Sequence, residues 1–411
     1  MLHRLLALAC AAALSACATP APPPLAGTAA EQRQPVTILV SIDGFSPGYL
    51  GKGDSPTLDR LAAGGVRAAM RPSFPSKTFP NHYTLVTGMR PDRHGITGNA
   101  MVDAARPGEM FTLSNAQQSQ DPFWWDQAEP IWVTAEKQGV RTGTMFWPGA
   151  DVPIHGTYPA DWVRYYEPFS ADQRVRTVID WLSRPAAERP KLLTLYFEDV
   201  DTKGHKFGPG SAELKEAVRG VDKALADLIA RAEALGQPLN LVIVSDHGMA
   251  ATHSDRAVDL DTLVPRDAYL LINSGAIVEL NPLPGREAEV ARALVKKHPH
   301  FECWNKADIP ARFHYGRNPR VPAIVCLTET GWEVWQGPPR WQGAGGDHGF
   351  DPADPAMRAL FIASGPAFAH GVTLPDFDNI HVYPLLARVA GVSPLASDGD
   401  AAVLADALVA R

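Results

Sequence analysis

Three stretches of this sequence run almost wholly through apolar and β-branched residues and then stop on acidic ones: VTILVSIDG (36–44), KLLTLYFEDVD (191–201) and NLVIVSDHG (240–248). A strand with water on one face alternates polar and apolar side chains, so a continuous run marks a strand covered on both faces. Two shorter runs, RTGTMFW (141–147) and RALFIASG (358–365), join them, and helical patterns lie between. The segment SPTLDRLAAGG reads as a helix capped by Ser55 and stopped by glycine, and EPIWVTAEKQG reads likewise. In 211–236, Leu214, Val218, Val221, Leu225, Leu228 and Leu235 recur at three- and four-residue steps, one apolar stripe that belongs to the core. This alternation predicts an α/β fold: a mostly parallel sheet with helices on both faces. At 411 residues the chain exceeds what one core usually supports. From 254 to 345 the rhythm breaks into prolines, a short helical run EAEVARALVKKH and aromatic loops, which predicts a smaller inserted α+β lobe between core segments 36–253 and 346–411.

The N-terminus reads as a targeting leader: Arg4, the apolar run LLALACAAAL, then LSAC ending at Cys17. The run is too short to span a bilayer, and the small residues before Cys17 resemble a bacterial lipobox. Residues 1–17 are therefore a leader outside the fold, with Cys17 lipidated as the first mature residue and Ala18 favouring the periplasmic face of the outer membrane. A plain signal peptide cut near Ala16 is the alternative. Membrane contact is then through the lipid alone, and residues 18–35, rich in proline and alanine, form a tether. Cys303 and Cys326 remain as an even pair in an oxidising compartment and are expected to form a disulfide, the alternative being two separate buried thiols.

A net charge of -7 argues against a surface that coats nucleic-acid duplexes. Any phosphate site must rest on metal ions or local donors. In a parallel sheet, ligands bind at the carboxyl ends of the strands. There the sequence places Asp43, Asp201, Asp246 and His247, with His205 four residues beyond Asp201 and His348 in GAGGDHGF. Alone, each is most simply a cap or a satisfied core group. Together, three carboxylates and three imidazoles make two sets of three, and three protein ligands leave a metal open to substrate. Mixed nitrogen and oxygen ligation without thiolate suits zinc, with manganese or iron as substitutes. Thr78 follows the loop PSFPSK and precedes a helical run beginning near Pro80 and Asn81, a place that favours anionic phosphate. Its hydroxyl is a poor nucleophile unless a metal activates it, and a helix cap is the plain reading. Asn99, in GITGNAM, could donate to a phosphoryl oxygen or be a turn residue. His82, His94, His155, His253, His314 and His381 read as loop or core hydrogen-bonding groups.

SIDGF, PSFPSKTFPNHYTLVTGMRPDRHGI, GNAM, DVDTKGHKFGP, SDHGM, HYGRNPRVP and GDHGF, in that order, resemble the nucleotide pyrophosphatase/phosphodiesterase family of the alkaline phosphatase superfamily. The resemblance covers nearly all of 36–395. It implies an alkaline-phosphatase-like fold and two zinc ions per chain, one held by Asp201, His205 and His348, the other by Asp43, Asp246 and His247 together with Thr78. Thr78 would attack phosphorus and carry a covalent phosphoryl or nucleotidyl group, Asn99 and the Thr78 amide would hold a phosphoryl oxygen, and Phe79 with Tyr165 (or Tyr166) would clamp a base. The implied substrate is a nucleotide or related small phosphodiester. Sulfatases of the superfamily use C-x-P-x-R where this chain reads KTFPN. A monoesterase, a phospholipid head-group phosphodiesterase and an inactive zinc-binding module stand as alternatives. No sequence feature sets an oligomeric state.

Overall fold

A computed structural model describes residues 32–339 and 341–410. The chain divides into Met1–Arg33, almost entirely outside the described residues, and a unit spanning Gln34–Arg411. The leader, Cys17 and nearly all of the 18–35 tether lie outside the described residues. Among the described residues no helix is long and apolar enough to cross a membrane.

Strand Val36–Ile42 is buried at every position and lies inside the central sheet, parallel to Leu192–Phe197 on one side and to Leu239–Val244 on the other. Its side chains divide by alternation. Leu39 joins a core with Tyr83, Trp132 and Leu386 from the helices Thr78–Thr87, Ile131–Lys137 and Val382–Ala390. Ile38, Val40 and Ile42 join the opposite core with Leu58, Val178, Leu214 and Leu225 from Pro56–Gly64, Ala171–Ser183 and Ala212–Ala234. Each large side chain so buried contributes roughly 1.5–3 kcal/mol, and a one-residue slip would cost all of them at once.

From edge to edge the sheet runs Val372–Thr373, Val66–Arg71, Ala359–Ser364, Leu239–Val244, Val36–Ile42, Leu192–Phe197, Thr142–Met145, Asp161–Val163, with Phe377–Asp378 also on Val66–Arg71. The sheet is mostly parallel, as expected. Ala359–Ser364 departs from that rule, running antiparallel to both neighbours. Its outer neighbour Val66–Arg71 escapes a sequence reading because the strand is only partly buried and carries no continuous apolar run.

Ser55 is a second departure. Its hydroxyl makes no cap bond but donates to the Asp59 carboxylate at 3.2 Å. The first-turn amides of Thr57 and Leu58 instead donate to buried Asp222, at 3.1 and 2.8 Å, so another helix caps this one.

Between residues 269 and 328 a second sheet forms, with Tyr269–Asn273, Ile277–Pro282, Ile324–Thr328, Phe301–Asn305 and Lys297–His298 in antiparallel order. One face packs on helix Glu287–Leu294. The other takes Phe74 from the loop before Thr78, together with Phe313 and Tyr315. Cys303 and Cys326 are cross-strand partners here and form the expected disulfide, with Cα atoms 3.9 Å apart.

Candidate active site

Asp43 follows the central strand, Asp246 and His247 follow Leu239–Val244, and His348 follows the short strand Ala344–Asp347. Asp201 and His205 sit one turn apart on helix Asp199–Phe207, where a four-residue step puts both on one face. The structure gathers these residues into the two predicted groups. Ligand atoms of Asp201, His205 and His348 lie within 4.8 Å of one another, and so do those of Asp43, Asp246 and His247. Gly44, at φ +67°, makes the turn after the central strand, and a side chain there would meet Asp201 at 3.1 Å.

The imidazoles are all held the same way. Nδ1 of His205, His247 and His348 lies 2.8, 2.9 and 2.8 Å from the carbonyls of Gly346, Gly248 and Ser76. A carbonyl only accepts, so each Nδ1 carries the proton and each Nε2 offers a lone pair. Those lone pairs face carboxylates. Nε2 of His247 is 2.9 Å from Asp246 Oδ2 and 3.5 Å from Asp43 Oδ1. Nε2 of His205 is 3.5 Å from Asp201 Oδ2, and that of His348 is 3.8 Å from Asp201 Oδ1.

Asp43 Oδ1, Asp201 Oδ1 and Asp246 Oδ2 are buried and accept no hydrogen bond. Burial pushes the Asp43 and Asp201 carboxyls up, and the neighbouring carboxylates add to it at Asp43. Burial pushes His348 well down, so it is a neutral donor. Orphaned carboxylate oxygens opposite imidazole lone pairs repel unless cations lie between them, and the donor set of each group suits zinc.

Thr78 is the first residue of its helix, two positions before the expected start near Pro80, after extended Lys77. The loop before it is fixed by Asn81, whose carbonyl accepts from Ser73 N at 2.8 Å and whose amide donates to Pro75 O and Lys77 O, both at 2.9 Å. Thr78 Oγ1 lies 3.4 Å from His247 Nε2, between helix start and ligand groups. Asn99 Oδ1 accepts from Phe79 N at 3.0 Å, which leaves the Asn99 amide nitrogen as its free donor.

A groove of about 410 Å³ opens beside Thr78 and is lined by Phe79, Trp125, Phe146, Trp147 and Tyr165. Tyr165 is 49% exposed and meets Phe146 edge-on at 5.3 Å, whereas Tyr166, 63% exposed, stays off the groove wall. His155 is also off the wall, bonded to Glu129 and Asp126.

Two residues escape the sequence reading. His82, expected among the core histidines, is buried beneath the site with Nδ1 2.9 Å from Thr78 O and 3.3 Å from Asp246 Oδ2, and Nε2 2.8 Å from Ser41 Oγ. Tyr196 donates to Asp43 Oδ2 at 2.7 Å. The four-residue step from Thr78 to His82 is the available signal for the first, and the second has none inside an apolar strand.

The family described as type I phosphodiesterase / nucleotide pyrophosphatase matches residues 37–351. The chain belongs to this family. Human bis(5'-adenosyl)-triphosphatase ENPP4 is 36% identical over 372 residues, covering 89% of this chain and 80% of that relative. Bovine ectonucleotide pyrophosphatase/phosphodiesterase family member 3 is 35% identical, and the match spans only 43% of its length. Among solved structures, human ectonucleotide pyrophosphatase/phosphodiesterase 5 superposes with a TM-score of 0.87 at 34% identity, covering 91% of this chain and all of that one. Its murine counterpart, an inactive form in complex with AMP, superposes equally well, with a TM-score of 0.87 at 33% identity. The phosphodiesterase fold, α/β and alkaline-phosphatase-like, is thus the one expected from the sequence.

Proposed function

We propose that this chain is a two-zinc phosphodiesterase that hydrolyses nucleotide phosphodiester or pyrophosphate bonds through a covalent phosphothreonine-type intermediate at Thr78. Members of its family are hydrolases named for those bonds. The observation that carries the reading is the pair of three-residue groups with orphaned carboxylate oxygens beside the Thr78 hydroxyl. Asp201, His205 and His348 would hold one ion, and Asp43, Asp246, His247 and Thr78 the other. When bound, the ions supply positive charge that lowers the hydroxyl's pKa and offsets the charge on the phosphoryl oxygens.

Thr78 Oγ1 gives its proton to solvent and attacks phosphorus, and the bond to the leaving alcohol or nucleotide breaks, the departing oxygen taking a proton from solvent. Asn99 Nδ2 and the Thr78 amide donate to a phosphoryl oxygen whose charge grows in the transition state. Water then attacks the phosphothreonine from the vacated side and frees Thr78, so two inversions leave the configuration at phosphorus retained. Tyr196 orients Asp43 by a hydrogen bond, and His82, fastened to Thr78 O and Ser41, packs against Asp246. Phe79 and Tyr165 supply faces on which a base could stack. The nucleotide preference is supported by a relative named for bis(5'-adenosyl) triphosphates and by a neighbour solved with AMP.

A zinc-reconstituted enzyme should cleave a nitrophenyl phosphodiester and nucleotide diesters faster than a nitrophenyl monoester or a choline phosphodiester. Thr78→Ala should abolish turnover with zinc content unchanged. Faster monoester turnover, or unchanged activity in Thr78→Ala, contradicts the reading. We further infer export and lipid anchoring at Cys17; the Cys303–Cys326 disulfide supports the export alone, because such bonds persist in oxidising compartments. Mass spectrometry of the mature N-terminus tests that part.

A further inference from the structure

The HYGRNPRVP segment (314–322) and the second sheet contribute no residue to the ligand groups, yet both close around the turn that carries Asn99. Tyr315 OH lies 2.9 Å from Thr97 O and 2.7 Å from Glu279 Oε1. Asn273 Nδ2 donates to Ala100 O at 3.0 Å and to Glu279 Oε2 at 2.6 Å. The carbonyls on either side of Gly98–Asn99 are thus fastened by two side chains that meet on one buried carboxyl, 2% exposed. The fit is close: a Cβ on Gly98 would meet Ala100 O at 2.8 Å and Asn273 Nδ2 at 3.0 Å. Farther out, buried Arg320 donates to Gly95 O at 3.0 Å and Asp103 Oδ2 at 2.8 Å. Asp92 Oδ1 accepts from the amides of Gly316, Arg317 and Asn318 at 3.0, 2.9 and 2.8 Å.

Hydrogens can be counted in this network. Tyr315 has one hydroxyl proton and faces two oxygens. Every group is satisfied only when Glu279 is protonated and donates to the Tyr315 oxygen, which then donates to Thr97 O. Asn273 has two amide protons for its two acceptors. A fully satisfied buried network holds one geometry, whereas a half-satisfied one costs stability and order.

We propose that Glu279, Tyr315 and Asn273 are positioning residues: from the second sheet they fix the Thr97–Ala100 turn so that Asn99 meets the phosphoryl oxygen. This rests on the role given to Asn99 above. A displacement well under the width of an atom at a transition-state donor lowers kcat more than substrate affinity.

The test is a double-mutant cycle on the zinc-loaded enzyme with a p-nitrophenyl ester of a nucleoside 5'-monophosphate, following kcat, KM, zinc content and melting temperature. Asn99→Ala should lower kcat about 100-fold, the scale of one lost oxyanion donor. Tyr315→Phe should lower kcat about tenfold with KM and zinc content unchanged, and should cost less than twofold more in the Asn99→Ala background. Glu279→Gln, whose amide can donate to Tyr315 and whose carbonyl can accept from Asn273, should stay within about threefold of wild type, whereas Glu279→Ala should resemble Tyr315→Phe. An equal tenfold loss from Tyr315→Phe in both backgrounds, or no loss in either, overturns the positioning role while leaving the catalytic reading intact. Unchanged kcat in Asn99→Ala overturns the role of Asn99 and the inference with it.

Discussion

Replacing Glu279 by glutamine should make the protein less sensitive to alkali. Burial pushes the Glu279 carboxyl up from its ordinary 4.5 to about 7, against the hydrogen bonds that Tyr315 and Asn273 give the ionised carboxylate and the positive charge of Lys77. Tyr315, whose hydroxyl burial pushes far above its ordinary value, stays neutral across this window. A group held protonated in the fold stabilises it fully below its unfolded value, and that contribution disappears as pH rises through the folded value. The displacement corresponds to about 3 kcal/mol, present at pH 4 and lost by pH 8. Glutamine mimics the protonated carboxyl at every pH. Urea unfolding at fixed zinc concentration should therefore give nearly equal stabilities for wild type and Glu279→Gln at pH 4.5, with the variant pulling ahead by about 3 kcal/mol at pH 8. All other titrating groups cancel in the difference. A gap that is flat with pH, or that favours wild type at pH 8, refutes the protonated network.

Chelation should lower Tm and zinc should restore it, because one buried carboxylate oxygen each of Asp43, Asp201 and Asp246 otherwise has no hydrogen-bond partner; identical calorimetric traces with and without chelator would contradict this. Phe79→Ala and Tyr165→Ala should each raise KM about tenfold for a nucleotide ester and leave bis(p-nitrophenyl) phosphate unaffected, since only the former has a base to stack; equal effects on both substrates would remove the base-binding role. Cys303→Ser should cost about 3 kcal/mol, the entropy of a loop closed across 23 residues, and a urea midpoint within error of wild type would show that the bond adds nothing.

The part of the molecule legible in the sequence is the part governed by local rules. Val36–Ile42, Leu192–Phe197 and Leu239–Val244 announce themselves because strands covered on both faces exclude polar residues. Asp43, Asp246 and His247 stand out where those runs end, and Asp201 with His205 by a helical step. What stayed hidden depends on contacts between distant segments. Asp222 does the capping expected of Ser55, from 164 residues away. His82 and Tyr196 sit among apolar neighbours and gain meaning only from the carboxylates they face. The antiparallel sense of Ala359–Ser364 shows only in its pairing with the distant strands Leu239–Val244 and Val66–Arg71, on which its own residues carry no information. Glu279 lies on a strand of ordinary alternation, and nothing local links it to a turn nearly 180 residues earlier.

Two cations facing one threonine are the centre of the proposed chemistry, and anomalous X-ray diffraction at the zinc edge from zinc-reconstituted crystals tests for them directly. Two peaks are predicted, one among Asp201, His205 and His348, the other among Asp43, Asp246 and His247 with the Thr78 oxygen bound to it. A single peak, or two peaks with Thr78 bound to neither, would contradict it.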